Sequence, residues 1–182
     1  MKTETPVSLK ALGEKALREE KLFRAEALAV LNLPEETMPE LLALTLAVRQ
    51  KHKGMKVGVQ WLTNAKSGNC TQNCAYCAQS LSAQTDIPKY GLTPYAKLAA
   101  DGAVVAEKGL ARHCIGLSGI RFDDAEIEDL ADQVRRLKGM NGTPICCSIG
   151  FLTPEQAMML KKAGVDRINH NLNTSRRHYA NI

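Results

Sequence analysis

The run HCIGLSGIRFDDAEIEDLADQVRRLKGMNGTPICCSI, residues 113–149, contains two short apolar stretches around one amphipathic segment. His113 to Leu117 has the length and composition of a buried strand. Asp123 or Asp124 caps a helix that sets Ile127, Leu130, Val134 and Leu137 on one face, and Gly139 is expected to stop it. Thr143 to Ile149 is the next strand. Strand, helix and strand at this spacing predict a parallel βα unit, because parallel neighbours need a crossover long enough to return along the sheet.

The rhythm continues on both sides. Thr93-Pro94 opens a helix that ends near Lys108-Gly109. Thr153-Pro154-Glu155-Gln156 matches a capping box, opening a helix that closes at Ala163-Gly164. Val165 to Asn171 is a fourth strand. Upstream, Met55, Val57, Val59 and Trp61 alternate with Lys56, Gly58, Gln60 and Leu62, which predicts the first strand. Residues 1–55 are helical in pattern, with Leu9, Leu12 and Ala16, then Leu28 and Leu31, at helical spacing before Pro34. Thr37-Met38-Pro39-Glu40 opens a further helix, expected to bury Leu41, Leu44 and Val48 and to end near Lys53-Gly54.

The predicted fold is therefore α/β. An N-terminal helical segment occupies 1–54, and about four parallel strands with helices occupy 55–182. An open sheet and part of a (β/α)₈ barrel both satisfy this pattern. A complete barrel needs about 250 residues, so in a barrel these 182 residues would form the N-terminal half.

Composition narrows the function. Hydrophobic residues are 45% and charged residues 24%, as in a globular protein, and no apolar run approaches the ~20 residues of a membrane span. Met1 to Glu20 mixes acids and bases without the apolar centre of a secretory signal, so a cytoplasmic location is expected. The net charge of +5 is spread along the chain, and aromatics are only 4%. Short clusters such as Lys51-His52-Lys53, Arg135-Arg136 and Arg176-Arg177 are solvated faces, and no nucleic-acid partner is expected.

The six cysteines are Cys70, Cys74, Cys77, Cys114, Cys146 and Cys147. Without a secretory signal, grouped cysteines point to metal or redox chemistry rather than disulfides. Cys70, Cys74 and Cys77 follow C-x₃-C-x₂-C within the long polar segment Thr63 to Thr93. The positions i, i+4 and i+7 would also share one face of a helix, but Gly68, Asn69 and Asn73 are turn formers and no Leu, Ile or Val joins that stripe. Structural zinc requires four ligands, usually in paired C-x₂-C units. Three thiolates suit a [4Fe-4S] cluster whose fourth iron stays open to a cofactor or substrate.

With an aromatic before the last cysteine, Tyr76-Cys77, this motif resembles the signature of radical S-adenosylmethionine enzymes. The resemblance implies that the methionine amine and carboxylate of S-adenosylmethionine chelate the open iron. One electron then splits the sulfonium, yielding methionine and a 5′-deoxyadenosyl radical, with the Tyr76 backbone near the adenine.

Within that superfamily the longer stretch Lys66-Ser67-Gly68-Asn69-Cys70 to Cys77-Ala78-Gln79-Ser80 is similar to biotin synthases. Ile168-Asn169-His170-Asn171-Leu172-Asn173-Thr174-Ser175 resembles the family's Y-N-H-N-L-D-T-S, and Tyr179-Ala180-Asn181-Ile182 resembles its Y-G-N-I. The resemblance implies sulfur insertion into dethiobiotin, with a second, [2Fe-2S] cluster as sulfur donor. Cys114 on the second strand and Cys146 on the third match its first two ligands. Aligning Gly150-Phe151-Leu152 with the family's glycine turn selects Cys146 over Cys147, and neighbours on a strand face opposite sides, leaving Cys147 to pack against a helix.

By the same resemblance, Gly116-Leu117-Ser118 meet the methionine amine, Asn171 and Asn173 reach the ribose hydroxyls, and Asn171 also meets the ureido ring of the substrate. His170 matches the family, but its strand neighbours rather than itself would face the cofactor. No catalytic residue beyond the cluster ligands is implied. An electron donor such as flavodoxin or ferredoxin is expected, and a homodimer is compatible with the resemblance. Asn173 stands where the family has Asp, and Ile168 where it has Tyr. The family's third cysteine and the arginine of the second cluster belong to later strands. Two alternatives stay open on this reading: another radical enzyme, of the hydrogenase-maturation or methylornithine synthase type, or an inactive truncated iron–sulfur fragment.

Overall fold

A computed structural model describes residues 8–181. The first seven residues of the predicted helical segment, and Ile182 of the Tyr179-Ala180-Asn181-Ile182 match, lie outside the described residues. The chain divides into two compact units, one up to Val57 and one from Gly58 onward.

The first unit holds α1 (Leu9–Leu17), α2 (Arg24–Leu31) and α3 (Met38–Lys53). The Ser8 hydroxyl caps α1 by accepting from the Ala11 N–H. Leu9 and Leu12 are buried, and a Cβ at Gly13 would stand 2.7 Å from Leu44 Cδ2, so glycine lets α1 and α3 approach closely. Lys15 and Glu26 pair at 2.8 Å between α1 and α2. Leu41, Leu44 and Val48, expected to be buried, are only half-buried, and Leu28 and Leu31 are exposed. Three short helices have too little surface to enclose them.

The second unit is a parallel sheet ordered β1 (Gln60–Lys66), β2 (Arg112–Leu117), β3 (Ile145–Ser148) and β4 (Arg167–Asn169). The connections are α4 (Tyr95–Glu107), α5 (Asp124–Asn141) and α6 (Pro154–Ala163). Sequential parallel strands joined by helices are how a (β/α) barrel winds.

Local chemistry explains the elements. Asp123 caps α5, accepting from the Glu126 N–H at 2.8 Å while Glu126 accepts from the Asp123 N–H at 3.3 Å. Ile127, Leu130, Val134 and Leu137 on α5 are almost wholly buried, each worth ~1.5–3 kcal/mol. The helix does not stop at Gly139. It runs to Asn141 and ends at Gly142, whose φ of 64° is left-handed, because an interior glycine costs only ~1 kcal/mol whereas the cap requires positive φ. Thr153 and Gln156 form the predicted box at the start of α6, and Gly164 closes it.

The first strand lies later than alternation predicts. Met55, Val57 and Val59 are exposed and outside β1, while Thr63 and Ala65 point into the core. The misreading has a physical cause: a core position is polar. The Thr63 hydroxyl donates to Asp101 Oδ2 at 2.6 Å and lies 2.8 Å from His113 Nε2, so it is buried without penalty. β4 is also shorter than predicted, ending at Asn169 rather than Asn171.

Candidate metal-cluster site

Strand alternation gives the sheet two faces. Ala65, Ile115, Ile145 and Cys147 belong to the helix-covered core, with α4, α5 and α6 over them. The other face carries the site. Near the C-terminal ends of the strands, Asn64, Gly116, Ser148 and Asn169 are in direct register. These four residues form part of the lining of a cavity of about 280 Å³.

Cys70, Cys74 and Cys77 line the same cavity. Their segment is loop and turn rather than helix, which removes the reading of a buried helical stripe. The loop is held by backbone pairing between Cys70 and Gln79, between Leu81 and Cys70, and between Cys77 and Cys74, at 2.9–3.0 Å. The Gln79 side chain accepts from the Gly68 N–H and the Ser67 hydroxyl. Gly68 and Asn69 take positive φ, 72° and 55°, at the entry turn, a conformation that Gly and Asn adopt most readily.

Burial pushes the Cys74 thiol up, and charge on Cys77 and Cys70 pushes it further. A cationic centre bound among them would favour the thiolate form and offset that effect. Among the described residues, no group of three or more His, Cys, Asp or Glu side chains is preassembled around a metal ion. The donor set that Cys70, Cys74 and Cys77 offer on the cavity wall is thiol-only, the chemistry by which four-iron cubanes are held.

The other predicted contacts gather at this cavity. Tyr76, Gly116, Leu117, Ser118, Asn171 and Asn173 all line it. Asn171 and Asn173 stand in the loop beyond β4 rather than on a strand, and Asn173 has φ 46°. The Tyr76 hydroxyl donates to Asn173 Oδ1, and the Tyr179 hydroxyl to the Asn171 carbonyl at 3.3 Å. His170 also lines the cavity, contrary to expectation, because β4 ends before it. Its Nδ1 lies 3.0 Å from the Ile149 carbonyl oxygen, and its ring is 5.0 Å from that of Phe151.

Cys114 and Cys146 do not line the cavity. They form the next rung of the same face, two residues toward the N-terminal ends of the strands, in register with each other and flanked by Leu62 and Arg167. Strand rise puts that rung roughly 7 Å below the cavity rung. Cys114 Sγ donates to Gln60 Oε1 at 3.0 Å. Cys147 is on the opposite face, fully buried in the core, where burial pushes its thiol up to about 12.

Sequence reasoning missed Asn64, Ser148 and Asn169 as cavity residues. Asn64 was hidden by the misplaced first strand. Ser148 carried a usable signal, a polar residue at the last position of the otherwise apolar β3, whereas Asn169 follows Arg167 and Ile168 on β4 and carried none.

The Radical SAM superfamily model matches residues 65–182. A biotin synthase of Bacillus velezensis is 37% identical over 171 residues, covering 94% of this chain and 50% of that protein. A biotin synthase of Persephonella marina is 38% identical over 174 residues, covering 96% and 52%. The chain thus spans about half the length of the curated relatives it matches. A crystal structure of methylornithine synthase superposes with a TM-score of 0.75 at 19% identity, covering 94% of this chain and 49% of that one, which shows the shared fold. A family model over most of the second unit, matched on a strand-end cavity walled by three thiols, establishes that this chain belongs to the radical SAM superfamily.

Proposed function

We propose that this chain is the N-terminal half of a biotin synthase-like barrel that inserts sulfur into dethiobiotin. The observation that carries this reading is the direct pairing of Cys114 with Cys146, one rung below the cavity that holds the loop thiols. A general radical enzyme needs only the loop cysteines. A second pair of thiols on the same face, one rung (roughly 7 Å) from the cavity rung, suits a sulfur-donating [2Fe-2S] cluster.

In this reading Cys70, Cys74 and Cys77 hold a [4Fe-4S] cluster, which when bound to S-adenosylmethionine supplies a 5′-deoxyadenosyl radical able to take hydrogen from unactivated carbon. The chain's own residues orient the reactants. Gly116 can bring backbone close to the methionine end of the cofactor, since its lack of a side chain opens the cavity floor. Asn171 and Asn173 present amides to ribose hydroxyls, and Asn171 also to the ureido ring of the substrate. Asn173 is a neutral acceptor, so its hydrogen bond is weaker than that of an ionised Asp. An electron carrier of the flavodoxin or ferredoxin class supplies the reductant.

The test uses the full-length protein, reconstituted without oxygen. Six irons per chain in two spectroscopically distinct clusters, and biotin formed from dethiobiotin, are expected. C114A and C146A are expected to lose the two-iron signal while still releasing 5′-deoxyadenosine. A single four-iron cluster per chain would refute the assignment.

A further inference from the structure

We propose that Cys114 and Cys146 form a reversible disulfide, making this rung a redox-modification site. The two residues are direct Cα partners on neighbouring parallel strands. Neighbouring strands lie about 4.7–4.9 Å apart, inside the roughly 4.4–6.8 Å that a disulfide spans. In-register positions point their side chains to one face of the sheet. Both cysteines are free. Cys147 is adjacent in sequence but fully buried on the far face, so it cannot compete.

Exposure sets the order of events. Cys114 is half-buried and reachable, whereas Cys146 is only 8% exposed. With oxidised glutathione as the oxidant, the Cys114 thiolate attacks one glutathione sulfur and breaks the S–S bond, releasing one glutathione thiolate. The Cys146 thiolate then attacks Cys114 Sγ and displaces the second. The protein thiols lose two electrons and two protons, and the oxidised glutathione becomes two molecules of glutathione. While closed, neither sulfur can ligate iron, and a dithiol reductant reopens the pair. This inference rests on the sheet register alone and stands whether or not the chain makes biotin.

The metal-free 182-residue chain is treated with oxidised glutathione in native buffer, alkylated, and mapped as non-reduced peptides with fragmentation that separates Cys146 from Cys147. The expected result is a Cys114–Cys146 link as the most abundant link involving Cys114, reversed by dithiothreitol. In C146S, glutathione is expected to stay on Cys114. A Cys114–Cys147 link in C146S overturns the proposal. So does a wild-type map in which the Cys114–Cys146 link is no more abundant than in the urea-unfolded chain, a comparison that needs no variant to fold.

Discussion

The Ser118 hydroxyl donates a 2.7 Å hydrogen bond to the Gly68 carbonyl oxygen, tying the segment after β2 to the entry of the cysteine loop. The two residues are 50 apart in sequence, and both are buried. The sheet therefore helps to position the loop, alongside the loop's own internal pairing. S118A leaves that buried carbonyl without this donor, at a cost of ~1–3 kcal/mol. A lower thermal midpoint and fewer irons retained per chain after anaerobic reconstitution are expected. An unchanged midpoint with full iron content would show that the tie is dispensable.

Two glycines are expected to respond in opposite directions to the same change. A Cβ at Gly150 would stand 2.3 Å from the Ile120 carbonyl oxygen and 2.7 Å from that of Gly119. Those are backbone atoms and cannot swing aside, so G150A is expected to destabilise by ~3 kcal/mol or more. Gly139 is helical with nothing within 4 Å of its Cβ position. There G139A is expected to stabilise by ~0.5–1 kcal/mol. Urea midpoints of the two variants check both signs.

Buried polar chemistry beneath the sheet makes stability pH-dependent. His113 is 1% exposed, and burial pushes its imidazole below the ordinary 6.5, outweighing the attraction of Asp101, while Lys97 acts in the same direction as burial. The folded state thus holds His113 neutral, while the unfolded chain takes up a proton near 6.5. Stability is full above that pH and falls as the pH drops through it. Asp101 adds to the effect at lower pH. Burial raises its carboxyl, but hydrogen bonds from Thr63 and Lys97 outweigh this and leave it lowered. H113Q, which retains an amide N–H where Nε2 stands, is expected to flatten the profile between pH 5 and 7. A profile as steep as wild type would remove His113 as the cause.

Much of this architecture was legible in the residues themselves. Capping boxes at Asp123 and Thr153 announce α5 and α6 because a cap is local chemistry, satisfied within one turn. The cysteine spacing likewise announces a shared site, since Cys70, Cys74 and Cys77 line one cavity. What stayed hidden is long-range. The true place of β1 depends on Thr63 finding Asp101 and His113, partners 38 and 50 residues away, which no alternation count can sense. The end of α5 turned on which of Gly139 and Gly142 takes positive φ, a choice between two plausible stops. The entry of His170 into the cavity follows from β4 ending at Asn169, a boundary set by pairing with β3 rather than by propensity.

The central claim is that Cys70, Cys74 and Cys77 hold a four-iron cluster with one corner open to S-adenosylmethionine. Electron paramagnetic resonance of the reconstituted, dithionite-reduced protein, recorded with and without S-adenosylmethionine, tests it most directly. A four-iron signal that changes on adding the cofactor, and that is lost in each of C70A, C74A and C77A, is predicted. A signal indifferent to the cofactor, or a protein that binds one zinc ion through these thiols and assembles no cluster, would contradict it.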